Sequence, residues 1–493
     1  MVDGSHHEGL QIAVALLSYS RAIADNARRM PDRVAISCGE DSITWSDFEA
    51  QTNRLARAYA DLGVTPDTFV TIGLPNSIEF FAAAVAVWKL GATPQPISHR
   101  LPDRERTAIV ELADSSLVVG ALPAAHPGRV VVPVGFVPNQ SLSDEQLPDI
   151  ITRRWKAPTS GGSTGRPKLI VASDPGITDT EAPGTGQVRD GVVCVPGPLY
   201  HNAPFSFATG GLMQGNHLVI LPKFDALATL TAIERHGADW LLLVPTMMQR
   251  ITRLDEAVRE KFDVSSLRIV WHMASPCPPW LKEAWITWLG GEKIFELYAG
   301  TEAQSVTVIR GDEWMAHRGS VGRPISGEMR IQDPDTYEVL PAGEIGEVFM
   351  RTGSDRVSYE YIGAEARLSP DGWESLGDMG YMDADGYLFL ADRRSDMILS
   401  GGANIYPAEI EAALDEHPDV VSCAVIGLPD DDLGNRIHAV VQVSAPIAPE
   451  AMSAFLADKL VRYKIPRTYD FVDHVVRDDA GKVRRSALRD ERS

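Results

Sequence analysis

A chain of 493 residues exceeds what one ordinary hydrophobic core organises, so two or more domains are expected. Its formal net charge of -21 argues against nucleic acid and anionic membrane surfaces as partners, because both select basic faces. Cys38, Cys194, Cys277 and Cys423 are scattered without paired spacing, which fits a reducing, cytoplasmic setting and neither disulfides nor a zinc site.

The leader MVDGSHHEGL has no basic segment followed by an apolar one, and His6 with His7 lacks the further ligands a metal site needs. Trp45, Phe48, Thr52, Leu55, Tyr59 and Leu62 recur at three-four spacing, which predicts an amphipathic helix ended by Gly63. A strand over 69–74 follows, then a cap at Asn76 or Ser77 and a helix running to Lys89. The apolar run 80–88 within it is too short to span a bilayer and reads as a buried helix. Alternating strand and helix predicts an α/β layer with parallel strands.

Residues 130–137 read as a strand, 173–190 as an exposed excursion rich in Gly, Pro, Asp and Thr, and 192–195 as a strand again. A helix over 227–236, a buried strand over 240–244, a helix over 247–254 and a strand over 267–272 continue the alternation. Beyond Pro407, which opens a helix carrying Ile410 and Leu414, strands are expected over 420–427 and 437–443 and a helix over 451–460.

The most chemical stretch is 159–168, TSGGSTGRPK. Gly161, Gly162 and Gly165 let the backbone turn sharply, Thr159, Ser160, Ser163 and Thr164 bring hydroxyls, and Arg166 and Lys168 bring positive charge. That composition suits a phosphate cradle between strands. It is no Walker loop, since Arg166 and Pro167 separate the last glycine from the lysine. A flexible Ser/Gly linker is the bland alternative, which the closing proline and lysine and the strand behind them disfavour.

TSGGSTGRPK resembles the phosphate loop of the adenylate-forming superfamily of acyl-CoA synthetases, peptide-synthetase adenylation domains and luciferases. YAGTE (298–302), GDMG (377–380), DRRSDMILSGG (392–402) and GKVR (481–484) resemble that superfamily's later motifs, in its order and across essentially the whole chain. The resemblance implies an α/β fold with a large multilayer N-terminal domain of mixed sheets and helices, 1–394. A small mobile α+β domain, 395–493, then carries the catalytic lysine.

It also implies ATP, Mg²⁺ and coenzyme A as partners in the reaction, and a carboxylic acid as substrate. Thr301 would meet the α-phosphate, Glu302 would bind Mg²⁺, Tyr298 would stack on adenine, and Asp378 with Arg393 would hold the ribose. Ala274, Ser275 and Pro276 stand where relatives place their adenine-side turn. Lys482 would neutralise charge at the α-phosphate. His201, Phe205, Met247 and Gly300 fall at the acyl pocket, although core packing is as good a reading for Met247. Gly401 and Gly402 would leave a channel for coenzyme A, with Ser395 as hinge.

Two departures bear on the second half-reaction: the hinge is Ser395 where relatives commonly carry Asp or Lys, and Ala403 stands where an acidic residue is frequent. The eleven residues after Lys482 leave no room for an appended carrier domain. GPLYHNAPFSF, IRGDEW and YKIPRTYDFV look most like CoA ligases for bile acids and other bulky ring-bearing acids, which points to a large apolar, polycyclic or terpenoid acid. An acyl-AMP ligase that hands its adenylate to a separate protein is the alternative. A non-catalytic nucleotide- or acyl-binding regulator is another, and a homodimer stays open.

Overall fold

Every residue from Phe80 to Lys89 is buried, so the Ile78–Lys89 helix is enclosed on all sides and forms the pivot of the large domain. Ser77 caps it by accepting from the Phe80 amide at 3.2 Å. The one charge at its end, Lys89, is satisfied by Glu49 Oε2 at 2.6 Å and Asn53 Oδ1 at 2.5 Å on the neighbouring Trp45–Asp61 helix. The computed structural model describes residues 16–161, 167–182, 184–353, 357–478 and 481–492.

Among the described residues, the main sheet has nine strands. Ile294–Ala299, Ile269–His272, Trp240–Leu243, Val192–Val195, His217–Ile220 and Val34–Cys38 run parallel, with antiparallel strands at both edges. A second, parallel sheet holds Thr93–Pro96, Phe69–Ile72, Leu117–Val119 and Val131–Val132. Phe69–Ile72, Val192–Val195, Trp240–Leu243 and Ile269–His272 stood in the sequence as the short apolar runs that buried parallel strands give, whereas Thr93–Pro96, TPQP, carries no such signal. The large domain also holds an antiparallel sheet around Gly346–Arg351, Glu374–Met382 and Leu388–Arg393 and a three-stranded one of Tyr359–Ile362, Pro167–Ala172 and Thr159–Gly161.

The small domain has its own core, drawn from Ile398, Ile405, Ile410, Leu414, Val425, Val441 and Leu456 among others. Its strands Val420–Asp430 and Gly434–Val443 pair antiparallel, with Thr468–Val472 parallel to the latter. Among the described residues, no helix is long and apolar enough to cross a membrane.

Two expectations need correction. The strand over 130–137 shrinks to Val131–Val132, because Pro133 has no ladder donor and Gly135 turns the chain at φ +77°, leaving Val134 and Val137 exposed. The excursion over 173–190 is anchored: Ile177–Asp179 pairs antiparallel with Leu16–Ser18, and Gln187 is buried and donates to the Phe207 carbonyl at 2.9 Å.

Candidate functional site

The glycine-rich stretch joins two antiparallel strands, Thr159–Gly161 and Pro167–Ala172, with Ser160 opposite Lys168. Gly162, Ser163, Thr164, Gly165 and Arg166 lie outside the described residues. The hairpin's entry is pinned from the second sheet, where the buried Gln95 accepts from Thr71 and donates to Thr159 Oγ1, both at 2.6 Å. Its exit carries Lys168, whose ammonium lies 3.5 Å from Glu302 Oε1 and 3.8 Å above the Tyr361 ring.

Glu302 is 5% exposed, and its Oε1 also accepts the Tyr361 hydroxyl at 2.5 Å. A hard, buried carboxylate beside Lys168 fits Mg²⁺, which usually takes one or two carboxylates and completes its shell with phosphate oxygens and water. Among the described residues no group of three or more His, Cys, Asp or Glu lies together in a way that could hold a metal ion. Tyr361 was not singled out in the sequence, because its partner lies 59 residues away and no local spacing marks it. Gly300 is required beside Glu302: a Cβ there would stand 2.2 Å from Leu376 Cδ1 and 2.9 Å from Glu302 Oε2.

Tyr298 lies near the end of the Ile294–Ala299 strand and donates to Asp378 Oδ2 at 2.7 Å. Burial, then the Asp378 charge, pushes its phenol well above the usual tyrosine range, so it stays a donor. Asp378 and Arg393 are cross-strand partners whose side chains meet at 3.2 Å. A carboxylate and a guanidinium side by side offer an acceptor and donors that suit vicinal hydroxyls, with Asp378 largely buried and the Arg393 side chain 61% exposed. Ala274 takes a left-handed φ of +78°, so Ala274, Ser275 and Pro276 form a sharp turn ahead of the Pro279–Leu289 helix.

The small domain closes onto this site. Gly481 is buried at φ +75°, and a Cβ there would stand 3.0 Å from Thr246 Cγ2 and 3.5 Å from Ser275 Oγ. Lys482 follows it at the mouth of the cleft, still exposed, where nearby protein and then the Arg393 cation hold its ammonium below the ordinary lysine value, while Asp478 and Glu302 oppose them. Three further contacts bind the domains. Asp392 Oδ2 accepts the Ala408 amide at 2.7 Å, Arg253 donates to the Asp415 carbonyl at 3.5 Å, and Arg484 lies 3.6 Å from Glu105.

Ser395 lies in the turn after Arg393, closed by the Asp396 amide on the Arg393 carbonyl at 3.0 Å. Gly401 and Gly402, at φ +57° and +81°, turn the hairpin between Ile398–Ser400 and Ala403–Ile405.

The expected acyl residues part company. His201 sits at the N-terminal end of the Asn202–Met213 helix, its ring 4.4 Å from Tyr200. Phe205 is instead a core residue, fully buried among Phe80, Phe81, Trp88 and Trp155, because the helix that carries it is apolar on several faces and turns this ring inward. Met247, 2% exposed, likewise belongs to the core under the main sheet. One turn from His201 an unanticipated cation appears: Lys156, buried, donates to Asn202 Oδ1 and to Ser206 Oγ.

Residues 23–355 match the AMP-binding enzyme family, and 409–482 match the AMP-binding enzyme C-terminal domain, ending on Lys482. The chain belongs to this adenylate-forming family. It is 30% identical to the fatty acid–acyl-carrier-protein ligase ScoC of Streptomyces coeruleorubidus, over 99% of this chain and 98% of that one. A (7a-methyl-1,5-dioxo-octahydro-1H-inden-4-yl)propanoyl:CoA ligase of Rhodococcus jostii is 28% identical, over 96% of this chain and 98% of that one. Among solved structures, o-succinylbenzoate CoA synthetase of Bacillus subtilis, in complex with an acyl-adenylate, superposes with a TM-score of 0.80 at 24% identity. That superposition covers 96% of this chain and 98% of the other, and it bears on the fold of this adenylate-forming enzyme alone.

Proposed function

We propose that this enzyme activates a bulky, ring-bearing carboxylic acid with ATP, giving an acyl-adenylate and pyrophosphate, and passes the acyl group to coenzyme A. The observation that carries the reading is the seating of Gly481 against Thr246 and Ser275, which delivers Lys482 to the cleft holding Glu302, Asp378 and Arg393.

A carboxylate is a poor acyl donor until its oxygen is joined to AMP. The substrate oxygen attacks the α-phosphorus, the bond to pyrophosphate breaks in line, and negative charge grows on the phosphoryl oxygens. Lys482 and Thr301 stabilise that charge, residues 159–168 hold the β- and γ-phosphates, and Asp378 with Arg393 fixes the ribose. The work is positioning and electrostatics rather than covalent catalysis. Glu302 would hold Mg²⁺, which neutralises phosphate charge when bound. Rotation of the small domain about Ser395 then withdraws Lys482 and brings Gly401 and Gly402 beside the adenylate for thiol attack.

The substrate class rests on the motif resemblance and on the fused-ring acyl group named for the Rhodococcus relative. The test incubates the protein with ATP, Mg²⁺ and fatty, aryl, steroidal and diterpenoid acids. Acyl-AMP, pyrophosphate and acyl-CoA are followed by mass spectrometry. A ring-bearing acid should give adenylate and a CoA-dependent thioester; turnover of fatty acids alone would overturn the substrate class.

A second acceptor is favoured by one specific set of observations: a carrier-protein ligase among the relatives, with Ser395 and Ala403 at the hinge and the thiol channel. If adenylate accumulates and coenzyme A leaves it untouched, the enzyme is an acyl-AMP ligase serving a separate carrier protein.

A further inference from the structure

Glu411 is 5% exposed on the Pro407–Asp415 helix of the small domain, and a buried carboxylate demands partners. It has three. Oε2 lies 2.6 Å from Arg477 Nη2, and Oε1 lies 2.7 Å from Arg485 Nη2 and accepts the Val425 amide at 2.8 Å. Burial works against the carboxylate, but the two guanidinium groups hold it below the usual range and so charged.

Each guanidinium reaches onward. Arg485 Nη1 grips Asp396 Oδ2 at 2.6 Å, one residue past the hinge Ser395. Arg477 Nε donates to the Cys423 carbonyl at 3.0 Å, and its Nη1 donates to the Gly481 carbonyl at 3.1 Å. That carbonyl belongs to the peptide whose nitrogen is Lys482. The same turn is closed from inside: Asp478 N donates to Lys482 O, Lys482 N to Asp478 Oδ1 and Gly481 N to Asp478 O, each at 2.9 Å.

A lysine ammonium rides on a flexible four-carbon stem, so it is placed no better than its own backbone is placed. A buried ion triad is weak evidence for stability, since apolar replacements often serve the fold as well. A guanidinium fork, however, offers fixed directions, and here those directions run from a buried anchor to the Gly481–Lys482 peptide. We propose that Arg477 is a positioning residue for Lys482: clamped by Glu411, it fixes the peptide that delivers the lysine. Through Arg485 and Asp396 the same clamp makes the lysine turn continuous with the hinge, so both move as one body. This rests on the reading of Lys482 as the residue that serves the α-phosphate.

Trace acetylation with acetic anhydride, read lysine by lysine by mass spectrometry with and without MgATP, tests it on the whole enzyme without knowledge of the acid. In the unaltered enzyme MgATP should protect Lys482 about tenfold, falling to about twofold or less in Arg477→Lys, whose ammonium cannot span both Glu411 and the Gly481 carbonyl. Lys459 and Lys464 of the same domain should label as before in both proteins. Full protection of Lys482 in Arg477→Lys overturns the proposal. If Lys459 and Lys464 become reactive, the paired replacement Glu411→Gln/Arg477→Met, which leaves no unmatched charge between the two, takes its place. Selective loss at Lys482 again supports the proposal, whereas general exposure in both variants makes the clamp structural and overturns it. Absence of protection in the unaltered enzyme would instead overturn the role of Lys482, and this inference with it.

Discussion

Tyr361 donates its hydroxyl hydrogen to Glu302 Oε1 at 2.5 Å, from a strand, Tyr359–Ile362, that pairs with the Pro167–Ala172 strand of the glycine-rich hairpin. The bond ties the carboxylate to the same sheet that carries Lys168, so the proposed metal-binding group and the proposed phosphate-binding lysine are set against one ring. Orientation of Glu302 is therefore shared between two elements rather than left to its own rotamers.

Removing that hydroxyl should weaken metal use before anything else. A hydrogen bond to a charged group contributes about 1.5–3 kcal/mol, so Tyr361→Phe should raise the half-saturating Mg²⁺ concentration roughly tenfold in acid-dependent pyrophosphate release. An unchanged Mg²⁺ dependence would dissociate Tyr361 from the metal.

Lys482→Ala should lower adenylation by about 10²–10³-fold, the usual effect of removing one group that stabilises transition-state charge. The KM for ATP should change little, and the CoA step from supplied acyl-AMP should persist. Equal loss in both half-reactions would assign Lys482 to something other than the α-phosphate.

Gly300→Ala places a methyl group against Leu376 and Glu302, at 2.2 Å and 2.9 Å. Overpacking of this kind typically costs about 1–3 kcal/mol, and here the atoms that yield include the proposed metal carboxylate. Adenylation should fall well beyond the change in melting temperature, and Gly300→Ala/Leu376→Ala should recover most of it. Recovery in neither activity nor stability would show that Leu376 is not the obstacle.

Lys156 gives the chain a signature in its pH dependence. Burial alone pushes its ammonium down to about 7 from 10.5. Between those values the unfolded chain binds more protons than the folded one, so this group makes stability rise as pH climbs from near 7 toward 10. Each pH unit in that interval is worth about 1.4 kcal/mol, so a few kcal/mol are at stake. Lys156→Met should flatten the slope and raise stability at pH 7, checked by urea unfolding at several pH values; an unaltered slope would place the effect elsewhere.

Local pattern carried much of this molecule. The buried Ile78–Lys89 helix, the parallel strands at Phe69–Ile72, Val192–Val195, Trp240–Leu243 and Ile269–His272 and the hairpin around 159–168 each follow from apolar runs, caps or glycine content within a dozen residues. Asp378 and Arg393, identified only by motif, prove to be cross-strand neighbours. What escaped was set by distant packing. Phe205 is aromatic in any reading, but which way its helix faces depends on Trp88 and Trp155, 117 and 50 positions away in the chain. Ile177–Asp179 becomes a strand only because Leu16–Ser18 lies beside it. Tyr361, Gln95 and Lys156 likewise acquire meaning from partners that no sequence window contains.

The absence of a side chain at Gly481 makes its contact with Thr246 a gauge of closeness between the two halves of the enzyme. With 3.0 Å available to a first carbon, the addition of one methyl group would act as a shim. At φ +75° the same methyl group would also strain the backbone of the turn that carries Lys482. On the proposed reading, a hydrogen where other residues carry a side chain thus helps set the balance between the pose that makes an adenylate and the pose that spends it.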